Sequence, residues 1–418
     1  MNEVGRALAE AHRREWAYVV AAAVRAAGDI GVAEECAQEA FVAALEQWPG
    51  DGVPRNPGGW LATTARRRAI DHVRRSVSLR GKLPLLVEPE GADEPPGEGA
   101  DAVIPDDRLR LVFTCCHPAL AREAQVALTL RLVCGVTTPQ IARLFLVGEP
   151  TMAARVTRAK KKIAAARIPY RTPPAHELPD RLDAVLTIVH LLSTTGHTAV
   201  DGESLVRADL VARAVDLARL LSRLMPDERE LRWLLALLLL GDARQVTRTD
   251  ADGELVLLED QDRSAWDRAL IDEGRGLVVG ALRGVRRPGR FALQAAIAAV
   301  HADAPTYADT DWREILDLYD ALLRAWPSPV VALNRAVAVA MVDGPGAGLA
   351  AVDALAADPQ LAGYPYLAAT RADLLRRLDR PAEARQAYRA ALALATNGAE
   401  SQFLSRRLEE VGRCTSSG

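Results

Sequence analysis

The chain has 418 residues, 52 Lys and Arg against 55 Asp and Glu, a formal net charge of -3, 49% hydrophobic and 5% aromatic residues. This is the balance of an ordinary globular chain of about two to four domains, and it excludes a fibrous or wholly disordered protein. The five cysteines (Cys36, Cys115, Cys116, Cys134, Cys414) have no regular spacing, which excludes a disulfide framework and fits a reducing compartment.

Ala, Leu and Arg dominate, and these residues lose little freedom in helices. From 10 to 48 the apolar residues Leu8, Trp16, Val19, Val20, Val24, Ala33, Ala37, Phe41 and Leu45 recur at spacings of three and four, which predicts helices. Gly28-Asp29-Ile30-Gly31 reads as a helix end followed by a cap. Pro49 to Pro57 reads as a loop, and a further helix is predicted over about 60–77. That helix carries Arg66, Arg67, Arg68, Arg74 and Arg75. Residues 79–104 lose apolar periodicity and read as a flexible acidic linker. Helices resume at about 106–130.

The stretch 135–163, GVTTPQIARLFLVGEPTMAARVTRAKKKI, predicts a short helix, a tight turn at Val147-Gly148 and a longer helix. Ile141, Ala142 and Leu144 face the first helix inward; Met152, Val156, Ala159 and Ile163 do so for the second. That is a helix-turn-helix pattern. A second linker is expected at 169–179, and the chain from 180 to 418 reads helical. The exception is 244–258, where two short extended runs flank Asp250-Ala-Asp-Gly253 and predict a small β-hairpin. Ala384, Tyr388, Ala391 and Leu392 follow the second-helix pattern of a tetratricopeptide repeat, and Ala347, Ala351, Ala354 and Leu355 repeat it upstream. The longest apolar run, Trp233 to Leu240, is too short to span a bilayer and reads as a buried helix. With no basic and apolar leader pattern at the N-terminus, a cytoplasmic protein with no membrane partner is expected.

Charge carries the strongest functional signal. From Pro150 to Ala175 there are no acids, while Arg155, Arg158, Lys160, Lys161, Lys162, Arg167 and Arg171 supply seven bases. A basic helix directly after a tight turn suits the DNA major groove and its phosphates; the bland reading is a solvated face. Three lures read blandly. Cys115-Cys116-His117 has adjacent cysteines that fit one tetrahedral site poorly, so no metal is expected. Asp250-Ala-Asp-Gly-Glu254 has its glycine at the wrong place for a calcium loop. His190, His197 and His301 lack a nucleophile or paired acid at a telling spacing, so no catalytic residue is assigned.

Residues 33–48, AEECAQEAFVAALEQW, and 56–75, NPGGWLATTARRRAIDHVRR, resemble region 2 of RNA polymerase sigma factors, and the helix-turn-helix resembles region 4. Together they resemble the extracytoplasmic-function group of the sigma-70 family, in the subgroup whose chain continues past region 4. The resemblance implies that Glu35, Gln38, Glu39 and Phe41 dock on the β′ clamp helices of the polymerase core, with the β flap a further contact. It implies that Arg55, Asn56, Trp60, Arg66, Arg67, Arg68, Arg74 and Arg75 read the minus-ten element. Thr151, Ala153, Ala154, Arg155, Thr157, Arg158 and Lys161 are the candidates for the minus-thirty-five element. Ala153 and Ala154 are small where relatives often carry polar residues, which leans readout toward Arg158, Thr157 and thymine methyls. Arg155 is better placed for phosphate or an acid of its own domain, Asp71 for a neighbouring arginine, and core packing suits Trp60 as well as stacking does.

The expected fold is all-α: a region 2 bundle (1–78), the linker, region 4 (105–168), the second linker, and a helical tetratricopeptide-like regulatory domain (180–418) with the hairpin. The expected partners are core polymerase and promoter DNA, with the C-terminal domain engaging its own sigma domains or another protein, and no cofactor. Two alternatives stand beside this: a helix-turn-helix activator with a sensing repeat domain, and an enzyme housed in 180–418 around His190, His301 and Glu259-Asp260-Gln261-Asp262.

Overall fold

A computed structural model describes residues 3–82, 107–145, 147–174, 176–197, 208–282 and 288–414. Most of the expected acidic linker, 83–104, lies outside them. The chain divides into two compact units, Met1–Ile188 and Val189–Gly418.

In the first unit, α1 (Glu3–Ala27), α2 (Ile30–Asp51) and α3 (Pro57–Lys82) pack as a three-helix bundle. Gly28 ends α1 in the left-handed region (φ 69°), and Asp29 caps α2 by accepting from Val32 N at 2.9 Å. Trp16, Val19, Val20 and Val24 are buried from α1, and Ala33, Ala37, Ala40, Ala44 and Trp48 from α2. Leu45, expected on that stripe, is 59% exposed. The loop expected from Pro49 begins later, because Pro49 and Gly50 continue α2 to Asp51. A proline in a last turn removes one amide bond at a place where the freed carbonyl still reaches water.

After α4 (Asp107–Cys115), α5 (Arg122–Leu128) runs into a π-helical turn at Thr129–Val133. Then come α6 (Thr138–Leu144) and α7 (Glu149–Ala165), with Gly148 as the N-cap of α7. Ile141, Ala142, Met152, Val156, Ala159 and Ile163 are all buried, so the helix-turn-helix packs on the stripe read from its spacing. The side chain of Leu144 lies outside the described residues. The stretch expected as a second linker is partly anchored: Tyr170 donates its hydroxyl to Asp107 O at 2.9 Å. Arg181, in α8 (Leu178–His197), donates to Phe113 O at 2.5 Å.

The second unit chains α9 (Ala208–Leu224), α10 (Arg229–Asp242), α11 (Arg268–Leu282), α12 (Arg290–Asp303) and α13 (Trp312–Ala325) to α14 (Pro329–Val342) and α15 (Pro345–Asp353). It ends with α16 (Pro365–Arg377), α17 (Pro381–Leu394) and α18 (Gly398–Cys414). From α12 on, each helix packs on the one before it, giving the stacked-neighbour core of a repeat array. Ala384, Tyr388 and Ala391 are buried as expected, with Leu392 packed partly against them. The upstream repeat is out of phase: Ala347 and Ala354 are exposed, and α15 buries Gly348, Leu349 and Val352 instead. A Cβ on Gly348 would collide with Ala340 and come within 3.1 Å of Ala336 O, so helix–helix approach set the phase. The hairpin expected at 244–258 shrinks to one antiparallel bridge, Thr249 to Leu255. Its first arm is a 3₁₀ turn at Gln245–Thr247, and the Asp250 carboxylate accepts from Asp252 N (3.0 Å) and Glu254 N (2.9 Å).

Candidate nucleic-acid interface

The buried stripe of α7 turns its opposite face outward. Thr151, Ala153, Ala154, Thr157, Arg158 and Lys161 are all exposed, so one helix presents a continuous acid-free surface after its N-terminal turn. Arg155 is different: half-buried, it sets its guanidinium 5.4 Å from the Phe145 ring centroid and pins α7 to the end of α6. Neither phosphate nor an internal acid is needed to account for it. Lys160 also leaves the basic face, since it ion-pairs with Glu34 of α2.

On α3, Leu61, Ala62, Ala65 and Ala69 are buried, which leaves Arg66, Arg67, Arg74 and Arg75 exposed along the helix. Arg68 reaches across to Glu39 of α2 at 2.9 Å. Arg55 is exposed in the preceding loop. Asn56 is exposed too, but its Oδ1 accepts from Gly59 N at 2.9 Å, so it caps α3. Trp60 is half-buried, with its ring edge-on to Trp48 at 5.6 Å, so packing holds much of it. Asp71 meets Arg75 through its backbone carbonyl, at 3.3 Å from Nε.

On α2, Glu35, Gln38 and Glu39 are exposed, whereas Phe41 turns back into a ring cluster with His12 (5.4 Å) and Trp16 (5.8 Å). Phe41 is therefore not the outward apolar anchor of this face. Val42 (55% exposed) and Leu45 (59% exposed) stand there instead. The signal was present: Glu35, Gln38, Val42 and Leu45 form a second stripe at spacings of three and four.

Between α2 and the helix-turn-helix, Glu34 is buried and accepts from Arg131 Nε at 2.5 Å as well as from Lys160 Nζ. Trp16 Nε1 donates to Arg131 O at 3.0 Å, and Gly135 (φ 65°) lets the backbone approach His12 and Trp16. The two basic helices thus belong to one packed unit. An acid on the buried stripe of α2 could have flagged this contact, because a buried charge needs a partner.

Cys115 and Cys116 are buried, and burial pushes the Cys115 thiol far up and the Cys116 thiol up to about 12. Cys116 Sγ lies 3.5 Å from Thr129 Oγ1, and the His117 ring accepts from Ala119 N, closing a helix end. These thiols are held protonated by packing. In the second unit, His190 and His301 line a common cavity, which their sequence separation concealed.

Models of sigma-70 region 2 and sigma-70 region 4 match residues 9–78 and 110–163, and a family of unknown function (DUF6596) matches residues 181–282. A probable ECF RNA polymerase sigma factor, SigI of Mycobacterium tuberculosis, is 34% identical over 168 residues, 40% of this chain and 56% of that protein. The chain belongs to the extracytoplasmic-function group of the sigma-70 family. It is a sigma factor with an additional C-terminal domain, and core RNA polymerase and promoter DNA are its partners. An uncharacterized protein, R00370, of Rhizobium meliloti (strain 1021) is 46% identical over 387 residues, 92% of this chain and 90% of that protein. No solved structure matches. Among the described residues no helix is long and apolar enough to cross a membrane.

Proposed function

We propose that this sigma factor works by positioning and charge alone, in the cytoplasm, with three surfaces sharing the task. The α2 face of Glu35, Gln38, Glu39, Val42 and Leu45 docks on the β′ clamp helices, acids and amide outside and two aliphatic side chains within. The α3 ridge of Arg66, Arg67, Arg74 and Arg75, with Arg55, holds the phosphates of the opened minus-ten strand. Arg158, Thr157, Lys161 and the small Ala153 and Ala154 of α7 enter the major groove at the minus-thirty-five element, and the domain it sits in meets the β flap. The observation that carries this reading is the outward face of α7, exposed at Thr151, Ala153, Ala154, Thr157, Arg158 and Lys161, with only Arg155 of the expected DNA positions turned to packing.

The packed first unit must open to do this. The two promoter elements lie about 25 base pairs apart, ~85 Å at 3.4 Å per pair. A compact body the size of Met1–Ile188 has a radius of gyration of only ~16 Å. Glu34 therefore has to release Arg131 and Lys160 when polymerase and promoter engage.

In vitro transcription with core polymerase on a promoter library tests the function and reveals the DNA motif together. Failure of the purified chain to associate with sigma-free polymerase in mild salt sinks it. The C-terminal domain regulates the sigma domains in this reading. Truncation after His197 keeps α8 and its Arg181 contact to Phe113, which a cut near residue 175 would lose. Constitutive activity of the truncated chain means inhibition, lost activity means the domain is required, and an unchanged chain removes the regulatory role.

A further inference from the structure

The helices of the second unit enclose a cavity of about 380 Å³, within the range of small-molecule sites. His190, Arg244, Arg248, Trp266, His301 and Tyr319 contribute to its wall. Two of these are cations, and among the described residues no carboxylate lines it. Leu240 and Ile297, beside Trp266, supply apolar wall.

Arg244 is half-buried in the cavity wall, and among the described residues its guanidinium makes neither an ion pair nor a hydrogen bond. Its neighbours worsen its position. Burial, then the positive charge of Arg248, push its pKa down to about 10, and Arg263 adds to the repulsion. Arg263 differs in being satisfied: it donates to His301 O (2.7 Å) and Ala304 O (2.8 Å) and lies over the Trp266 ring at 4.8 Å. Arg248 feels the carboxylate of Glu400 but makes no ion pair with it among the described residues. His301 Nδ1 is a buried polar atom with no hydrogen-bond partner among the described residues. Its imidazole is neutral, driven down to about 4 by burial and then by Arg244 and Arg263. Tyr319 stays a phenol, pushed up to about 12 by burial, and so keeps a proton to donate.

An enclosed cation without a counter-charge is costly, and so is each polar atom left without a partner. A fold that keeps two arginines, a phenol and an open imidazole nitrogen around one cavity is matched to something negative. We propose that this cavity is a binding site for a small organic anion: a carboxylate or phosphate group held by Arg244 and Arg248, with an apolar or aromatic body against Trp266, Leu240 and Ile297.

Thermal unfolding of the full chain tests the site without polymerase, so its failure leaves the sigma-factor assignment untouched. The probes are phenylacetate and phenyl phosphate at matched ionic strength, with phenethylamine as the charge-reversed control. At roughly ten times the dissociation constant, an anion that fits raises the unfolding temperature by about 2–4 °C. A response to only one of the two separates carboxylate from phosphate recognition. The amine is expected to do nothing. Arg244→Met removes the anion response and raises the unfolding temperature of the unliganded chain, because it deletes an uncompensated charge. Arg248→Met weakens the response. The proposal is overturned if neither anion shifts unfolding at about 10 mM, a concentration that exposes even millimolar affinity. It is also overturned if the amine shifts unfolding equally, if the response survives Arg244→Met, or if that variant is less stable or fails to fold. In the last case the arginine is a structural tie.

Discussion

Glu34 of α2 is ion-paired with Lys160 of α7, across 126 positions of sequence, and the same carboxylate takes Arg131 on its other oxygen. One buried acid from region 2 thus pairs with two cations of region 4, one through each oxygen. Removing the shared carboxylate leaves both cations without their counter-charge, at a cost of about 3–5 kcal/mol. Glu34→Gln is expected to lower the unfolding temperature of the free protein and to speed amide exchange in α2 and α7. Because the same change favours separation of the two regions, binding to core polymerase should hold or strengthen. Protection in α7 that matches wild type would show that this ion pair does not hold the unit together.

The two DNA surfaces predict different kinds of loss. Arg158→Ala should cost about 1–3 kcal/mol and relax preference at one promoter position if it reads a base. Lys161→Ala should weaken binding evenly across sequences and lower the salt slope by about one. Fluorescence anisotropy with promoter duplex over a potassium chloride series distinguishes them. In the free protein without polymerase, Lys160→Ala should change stability and leave the salt slope alone, since its ammonium serves Glu34 as long as the first unit stays closed.

Val42 and Leu45 are exposed while Phe41 is packed with His12 and Trp16. Leu45→Asp is therefore expected to leave unfolding unchanged and to cut affinity for core polymerase, by about 2 kcal/mol or more if it is a central anchor. Phe41→Ala should do the reverse, destabilising the bundle by roughly 2–4 kcal/mol. Pull-down of core polymerase beside thermal unfolding of each variant checks both.

His190 and His301 both have folded pKa values driven down to about 4 from 6.5 by burial, with Arg290 adding to the first and Arg244 and Arg263 to the second. Between those values the unfolded chain binds more protons than the folded one, so folding stability is fully present above about pH 6.5 and declines as pH falls toward 4. The slope approaches about 1.4 kcal/mol per pH unit for each histidine. Urea unfolding at pH 5 and pH 7 should show the second unit weakened at the lower pH. The double variant His190→Gln/His301→Gln should flatten that dependence, and an unaltered slope would assign it to other groups.

Gly348 sits where α15 crosses α14. Gly348→Ala should overpack that crossing and destabilise the stack by about 1–3 kcal/mol, read by denaturant unfolding.

What the sequence determined by itself was local. Helical periodicity, the Gly28-Asp29 break and the Met152/Val156/Ile163 stripe are spacings along a single helix, so residue types alone set which α7 positions face out. The same holds for Asn56 and Asp250, whose side-chain turns close on neighbours two to four residues away. What the tertiary structure decided is how distant segments meet. Phe41 turned inward because α1 brought two rings to it, and Lys160 left the basic face because the buried Glu34 draws it in beside Arg131. Gly348 replaced Ala347 on the buried face because α14 approaches too closely for a side chain. His190 and His301, more than a hundred positions apart, share one cavity wall only because helices of the second unit fold back on each other. Burial and ion pairing act through space at a few ångströms, and nothing in a linear spacing records which remote segment will supply the other half.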